Sequence, residues 1–204
     1  GEQMKVMKFG GTSVGRPERM QHIASMVTKE TEPVIVVLSA LSGTTNALVE
    51  IGTFMANGDR VSAKQAIEKL EKHYQSFIKE LLNDKTYVEK AKAMVAEHFE
   101  FLTIILKISF SESLSKDILA QGELLSTKLF SIYLEEKGIE HQLLPALEFM
   151  SIDQYDEPQI GSIKVKLSQL LKKHKSRALF VTQGYICRNA RGEVDNLKRG
   201  GSDY

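Results

Sequence analysis

The folds open to this chain are limited first by residues 4–16, which read MKVMKFGGTSVGR. The apolar residues at positions 6, 7 and 9 predict a short strand that is buried on both faces. Two glycines follow this strand, and a helical pattern begins at about Pro17. A strand, a glycine turn and a helix start form a common anion site, because the backbone N–H groups there are open to a ligand. Lys8 stands at the end of the strand, where its ammonium group could reach that ligand, although an ordinary strand-to-helix turn explains the stretch equally well.

Two well-known phosphate loops do not match this turn. A Walker A loop needs GxxxxGK followed by Ser or Thr, but Gly10 and Gly15 are followed by Arg16 and Pro17. The turn also lacks the GxGxxG pattern of dinucleotide-binding sites. What remains is a phosphate-loop arrangement whose lysine precedes the glycines, on the strand.

A second buried strand is predicted at positions 34–38, where the sequence is a continuous apolar run rich in β-branched residues. The helix predicted over residues 17–29 lies between the two strands, so a parallel pair with a right-handed crossover is expected. In sheets of this kind the ligand site lies beyond the carboxyl ends of the strands. Gly10, Gly11 and the hydroxyl-rich segment 39–46 all fall there, and we therefore expect them to share one site.

The sequence predicts a large helical insert at about 46–138, because no clear strand pattern occurs there. Its helices are expected over residues 45–57, 62–82, 86–108 and 113–137. Gly122 interrupts the last of them and costs about 1 kcal/mol against alanine in a helix, so it indicates the close approach of another backbone or a ligand. The helical pattern alone places the neighbouring Glu123 on the surface.

Two further strands are predicted at residues 139–144 and 178–182, with a helix over 161–174 between them and a hairpin at 186–188 and 193–197. Strands that alternate with helices indicate an α/β fold. The expected architecture is an open, mainly parallel sheet that is sandwiched by helices.

Composition excludes several classes of protein. A net charge of +1 offers no argument for nucleic-acid binding, and no apolar run approaches the ~18 residues that span a bilayer. Cys187 is the single cysteine, so no disulfide can form within the chain and a reducing, cytoplasmic setting is expected. We interpret its thiol as structural or incidental. The five histidines are scattered without metal-ligand spacing, so we expect no metal to be held by protein side chains.

Five stretches together carry a resemblance to a known family. In chain order they read KFGGTSV at 8–14, VLSALSGTTN at 37–46, QGELLS at 121–126, TQGYI at 182–186 and RGGSDY at 199–204. Each is weakly specific alone, but all five occur in the family's order and run from one end of the chain to the other. By these motifs the chain resembles the aspartokinase branch of the amino-acid kinase family. The α/β/α fold that this resemblance implies agrees with the elements predicted above.

The resemblance also implies a reaction, in which the γ-phosphoryl group of ATP passes to the β-carboxylate of L-aspartate. The product, 4-phospho-L-aspartate, leads toward lysine, threonine and methionine. ATP and Mg²⁺ are the implied cofactors, with the metal held mainly by the nucleotide. Asp203 would orient Lys8 and link to the metal rather than take a proton, since a substrate carboxylate is already ionised at pH 7. The residues that the resemblance places around the phosphates are Lys8, Gly10, Gly11, Ser13 and Ser39.

The same resemblance implies a second set of residues, which bind aspartate. Glu123 would bind the α-ammonium group, in place of the surface position that the helical pattern suggests. Arg199 is the implied partner of the α-carboxylate, because a guanidinium group binds carboxylates through two hydrogen bonds. Thr45 and Ser202 would hydrogen-bond a substrate carboxylate, and Ser39 counts with them as substrate-binding.

Members of this family continue past the RGGSDY motif into the rest of the nucleotide site and commonly into ACT domains. We therefore expect residues 1–204 to be the N-terminal, aspartate-binding part of a catalytic domain, without the C-terminal nucleotide half and inactive as a kinase alone. The expected partners are L-aspartate and ATP, without nucleic acid or membrane, and the full-length form is expected to be a homo-oligomer. Two alternatives stay open: an isolated amino-acid-binding or assembly module, and another member of the amino-acid kinase family.

Overall fold

A computed structural model describes residues 4–10 and 14–197 of the chain. Its elements alternate between strands and helices at both ends of the sequence, and a run of four helices fills the middle. In chain order they are β1 (Lys5–Phe9), α1 (Pro17–Val27), β2 (Val34–Leu38), α2 (Thr44–Ala56), α3 (Arg60–Leu81), α4 (Lys85–Ile105), α5 (Glu112–Glu136), β3 (Gln142–Leu143), a 3-10 turn (Ala146–Glu148), α6 (Ile160–Lys173), β4 (Leu179–Gln183), β5 (Ile186–Arg188) and β6 (Val194–Asn196).

The main sheet is parallel throughout, with the strand order β1-β2-β4-β3. Phe9 pairs with Leu38, and Leu38 in turn pairs with Gln183, so three strands end at the same level. This register brings the segments that follow β1, β2 and β4 to one edge of the sheet. The parallel β1–β2 pair and its helical crossover are confirmed.

Successive side chains of a strand point to opposite faces of the sheet, and the two faces contribute to two different hydrophobic cores. Val36 of β2 and Val181 of β4 belong to the larger core, which they form with helices α1 to α5. Ile35 and Phe180 belong to a smaller core on the opposite face of the sheet, with α6 and the segment around Phe149. The predicted architecture, a mainly parallel sheet between helices, is confirmed.

The first strand departs from its predicted burial on both faces. Its side chains alternate between half-buried Met7 and Phe9, which pack against the larger core, and exposed Val6 and Lys8. Val6 keeps 53% of its surface exposed, because β1 is the outer strand of the described sheet and its second face is only partly covered. The prediction of burial on both faces is therefore wrong for β1, whereas it holds for β2.

The helical insert agrees closely with its predicted extent, since α2 to α5 occupy residues 44–136 without an intervening strand. Three of its helices begin at capping side chains that accept hydrogen bonds from backbone N–H groups, namely Asp59, Asp84 and Ser111. One boundary is wrong, because α4 ends at Ile105 rather than at residue 108.

The strand predicted at 139–144 is much shorter in the structure. Only Gln142 and Leu143 pair with β4, and Pro145 stands two positions after Leu143. The imidazole Nδ1 of His141 lies 2.9 Å from the carbonyl oxygen of Ile139, and its Nε2 lies 2.6 Å from the hydroxyl of Ser131 on α5. The hairpin of β5 and β6 is confirmed.

Candidate active site at the carboxyl ends of the strands

A cleft of about 350 Å³ opens where β1, β2 and β4 end, at the edge that the topology predicts for a ligand. Helix α5 crosses beneath it and contributes the carboxyl group of Glu123. The residues that line the cleft are Lys8, Phe9, Gly10, Val37, Ser39, Thr45, Glu123, Gly184 and Tyr185.

Five of the residues singled out from the sequence meet in this cleft, although they come from three separate stretches of the chain. They are Lys8, Gly10, Ser39, Thr45 and Glu123. The other five, Gly11, Ser13, Arg199, Ser202 and Asp203, lie outside the described residues. The individual roles assigned to all ten stay predictions.

The loops after β1 and β2 lie in direct contact at one end of the cleft. The Ser39 N–H donates a hydrogen bond of 3.0 Å to the carbonyl oxygen of Phe9. A Cβ atom at Gly10 would lie 3.4 Å from Ser39 Oγ, which is an ordinary van der Waals contact. Gly10, the Ser39 hydroxyl and the Lys8 side chain thus line the same part of the cleft, a combination that suits a phosphate group.

Glu123 is a buried residue, with 4% of its surface exposed. Burial raises the pKa of its carboxyl group to about 7, while hydrogen bonding by backbone N–H groups, including that of Ala40, opposes the shift. The surface position that the helical pattern suggests is therefore wrong. The physical reason is that α5 runs beneath the loop after β2, so that even its polar face is covered.

Gly122 explains how α5 comes so close to that loop. A Cβ atom placed on it would lie 2.9 Å from the Cβ of Ala40 and 3.6 Å from Cγ2 of Thr44. No side chain fits in this space without a movement of the helix or of the loop. The close approach predicted from a glycine inside a helix is confirmed.

Two hydroxyl groups of α5 also hold the ends of the strands. The Ser126 hydroxyl donates a 2.7 Å hydrogen bond to the carbonyl oxygen of Ser39. Thr127 Oγ1 accepts a 2.9 Å hydrogen bond from the Gln183 side chain, whose own carbonyl oxygen accepts one from the Ala146 N–H. Helix α5 is therefore joined to the carboxyl ends of both β2 and β4.

Sequence reasoning gave no role to these supporting residues, or to Tyr185. Tyr185 lines the cleft, and its backbone φ angle is +70°. Residues other than glycine rarely adopt such a positive φ. The positions of these residues in the sequence could have indicated their roles. Ser126 lies three residues after Glu123, on the same face of the helix, and Tyr185 belongs to a motif that directly follows a strand.

The described part of the chain shows neither a reactive thiol nor a metal site beside this cleft. The Cys187 thiol is buried, and burial raises its pKa to about 12, so it carries no thiolate at neutral pH. Within residues 4–10 and 14–197, no three His, Cys, Asp or Glu side chains group as a metal site would require. None of the helices in these ranges is long and apolar enough to cross a membrane.

Comparison with known proteins identifies the family. The family model described as "Amino acid kinase family" matches residues 3–204. The chain belongs to the amino acid kinase family. Its curated relatives include the lysine-sensitive aspartokinase 3 of Escherichia coli K12, which is 30% identical over 205 residues.

Solved structures of this family match the fold as well. The aspartokinase III of E. coli in complex with lysine and aspartate superposes with a TM-score of 0.84 at 28% identity, over 98% of this chain and 45% of that one. The same enzyme in complex with aspartate and ADP gives a TM-score of 0.77 at 27% identity, over 99% of this chain and 45% of that one. The aspartokinase 3 match likewise covers 99% of this chain and 45% of that relative. This amino acid kinase chain thus spans less than half the length of the aspartokinases that it matches.

Proposed function

We propose that this chain forms the aspartate-binding part of an aspartate kinase, which transfers the γ-phosphoryl group of ATP to the β-carboxylate of L-aspartate. The observation that carries the proposal is the pairing, in one cleft, of Lys8 and Gly10 with the buried carboxyl group of Glu123. One end of the cleft suits a phosphate, and the other suits an ammonium group. An amino acid whose side-chain carboxylate receives a phosphoryl group needs both.

At the phosphate end the chain supplies position and positive charge. Phosphoryl transfer depends mainly on in-line placement and on stabilisation of charge on the phosphoryl oxygens. The Lys8 ammonium and the Gly10 N–H stabilise that charge, and Ser39 narrows the space beside them. The acceptor carboxylate is already ionised at neutral pH, so the reaction requires no general base.

At the amino-acid end Glu123 selects for a free ammonium group. A buried carboxyl group with a pKa near 7 is half protonated at neutral pH, and a cation beside it draws it to the ionised form. The ion pair that results is charge-assisted and shielded from water. Thr45 hydrogen-bonds a carboxylate of the same ligand, and Arg199 and Ser202 are proposed to bind the carboxylates from the segment after β6. An acetylated amino acid or a nucleotide lacks the ammonium group that this arrangement favours.

ATP is the proposed phosphoryl donor, in keeping with the ADP bound by the related E. coli enzyme. Mg²⁺ would enter with the nucleotide, since this ion commonly keeps several water molecules and binds phosphate oxygens. The metal supplies neutralisation of the charge on the β- and γ-phosphates. Asp203 is proposed to orient Lys8 at this end.

Titration calorimetry of L-aspartate against the wild-type chain, Glu123→Ala and Arg199→Ala tests the amino-acid site. We expect each substitution to weaken binding by about tenfold or more, because it removes a charge-assisted hydrogen bond. Glu135→Ala is the matched control, since Glu135 lies on the same helix outside the cleft. Equal affinities in all four proteins would refute the assignment.

A further inference from the structure

Tyr74, in helix α3 of the insert, is fully buried. Its ring packs on Phe99 of α4, with the ring centroids 5.8 Å apart. Its hydroxyl lies 2.7 Å from Oγ1 of Thr44, which is also fully buried. This hydrogen bond thus joins α3 to the first residue of α2, 30 residues earlier in the chain.

Thr44 is the residue through which this bond reaches the cleft. It is the first residue of α2, directly before the cleft residue Thr45. The residue at the N-cap is Gly43, with φ +84, and no side chain caps this end of the helix. The first turn of α2 therefore lacks the usual device that fixes a helix start, and the Tyr74 hydroxyl supplies a contact from outside it.

Helix α5, which carries Glu123, also packs against Thr44. A Cβ atom on Gly122 would lie 3.6 Å from Cγ2 of Thr44, an ordinary van der Waals contact. The pKa of Tyr74 is raised, first by burial and further by the charge of Glu123, whereas the hydrogen bond to Thr44 opposes the shift. Tyr74 and Thr44 thus form a buried hydrogen-bonded pair, and helix α5 packs against Thr44 through Gly122, the residue before Glu123.

We propose that Tyr74 is a positioning residue for aspartate. Its hydroxyl holds Thr44, and through Thr44 the first turn of α2, so that Thr45 and Glu123 keep the spacing that the ligand requires. This inference rests on the proposed aspartate site. It gives helix α3 a part in the reaction, since its Tyr74 supplies a fixed point for the start of α2, which carries the proposed substrate contact Thr45.

The test compares Tyr74→Phe with Thr44→Val, Thr44→Ser and the double variant Tyr74→Phe/Thr44→Val by aspartate titration. Tyr74→Phe keeps the ring, so the loss of the hydroxyl is expected to weaken aspartate binding about three- to tenfold. Thr44→Val is expected to act alike, and the double variant to be no worse than either single one. Thr44→Ser keeps a hydroxyl and is expected to stay within about twofold of wild type. Tyr133→Phe, on α5 and outside the cleft, is the matched control.

Stability separates this role from ordinary packing. A buried hydroxyl without a partner lowers stability, whereas replacement of both partners by apolar groups restores most of it. We therefore expect the double variant to regain thermal stability without regaining aspartate affinity. If Tyr74→Phe lowers stability but leaves the aspartate affinity equal to that of Tyr133→Phe, the positioning role is overturned.

Amide hydrogen exchange of the ligand-free chain distinguishes failure of this inference from failure of the proposed function. Tyr74→Phe should speed exchange in residues 41–47 by about three- to tenfold, and Tyr133→Phe should not. Wild-type protein that does not bind aspartate would contradict the proposed function, and the exchange result alone would then decide whether Tyr74 holds the loop. Unchanged exchange in Tyr74→Phe would overturn the inference whatever the titration shows.

Discussion

Glu123 is a buried carboxyl group whose ionisation is opposed by its surroundings. Helix α5 brings it beneath the loop after β2, and the Ala40 N–H offsets only part of the cost of burying its charge. Periodicity could not predict this burial, because the residues that cover Glu123 lie about eighty positions earlier in the chain. The resemblance of the QGELLS motif at 121–126, rather than the helical pattern, predicted that Glu123 belongs to the site.

The raised pKa predicts how stability changes with pH. The ordinary glutamate pKa of 4.5 rises to about 7 in the folded chain, so the protonated form favours folding. This contribution is fully present below pH 4.5 and is lost as the pH rises through about 7. It amounts to about 3 kcal/mol between those limits.

Glu123→Gln should remove that dependence. Urea denaturation at pH 5 and pH 8 is expected to show the variant gaining about 2–3 kcal/mol relative to wild type at the higher pH, because an uncharged amide replaces a carboxylate. Glu135→Gln, an exchange on the same helix, serves as the control. A wild-type protein and a Glu123→Gln variant with parallel pH profiles would contradict the burial account.

At the scale of elements, continuous apolar runs and helical periodicity predicted most of the fold. The run at 34–38 became β2, buried on both faces, and the helix predicted over 62–82 became α3. The similar run at the start of the chain became an outer strand, because local sequence does not show how many neighbours a strand will have. The strand predicted at 139–144 likewise contributes only two residues, Gln142 and Leu143, to the sheet.

The packing of α5 against the β2 loop predicts that Gly122→Ala is destabilising. Alanine is intrinsically better than glycine in a helix by about 1 kcal/mol, but the added Cβ would meet Ala40 at 2.9 Å. Overpacking of this kind costs about 1–3 kcal/mol, so the melting temperature is expected to fall. Aspartate affinity should fall with it, since Gly122 packs against Ala40 and Thr44, and Thr45 directly follows Thr44.

Gly161→Ala is the matched control for this prediction. Gly161 also lies in a helix, α6, and a Cβ atom there would meet nothing within 4 Å. Its melting temperature is expected to rise slightly, by the propensity effect alone. A similar rise for Gly122→Ala would show that α5 and the loop are not tightly packed.

At the scale of the whole molecule, the cleft is assembled from segments that are far apart in the chain. The rule that ligands bind at the carboxyl ends of parallel strands predicted where the glycine turn and segment 39–46 would meet. It could not predict that α5 would pass beneath them, nor that Tyr74 of α3 would reach the start of α2. Those contacts depend on packing between elements that no local pattern encodes.

The central claim is that Glu123 binds the ammonium group of aspartate in this cleft. It is tested most directly by measuring the binding of two ligands to two proteins. L-aspartate and succinate differ by the amino group alone, and both should be titrated against wild type and Glu123→Gln. We expect wild type to bind L-aspartate about ten- to a hundredfold more tightly than succinate, and Glu123→Gln to lose most of that preference. Equal binding of the two ligands by wild type, or an equal loss of both in Glu123→Gln, would contradict the account.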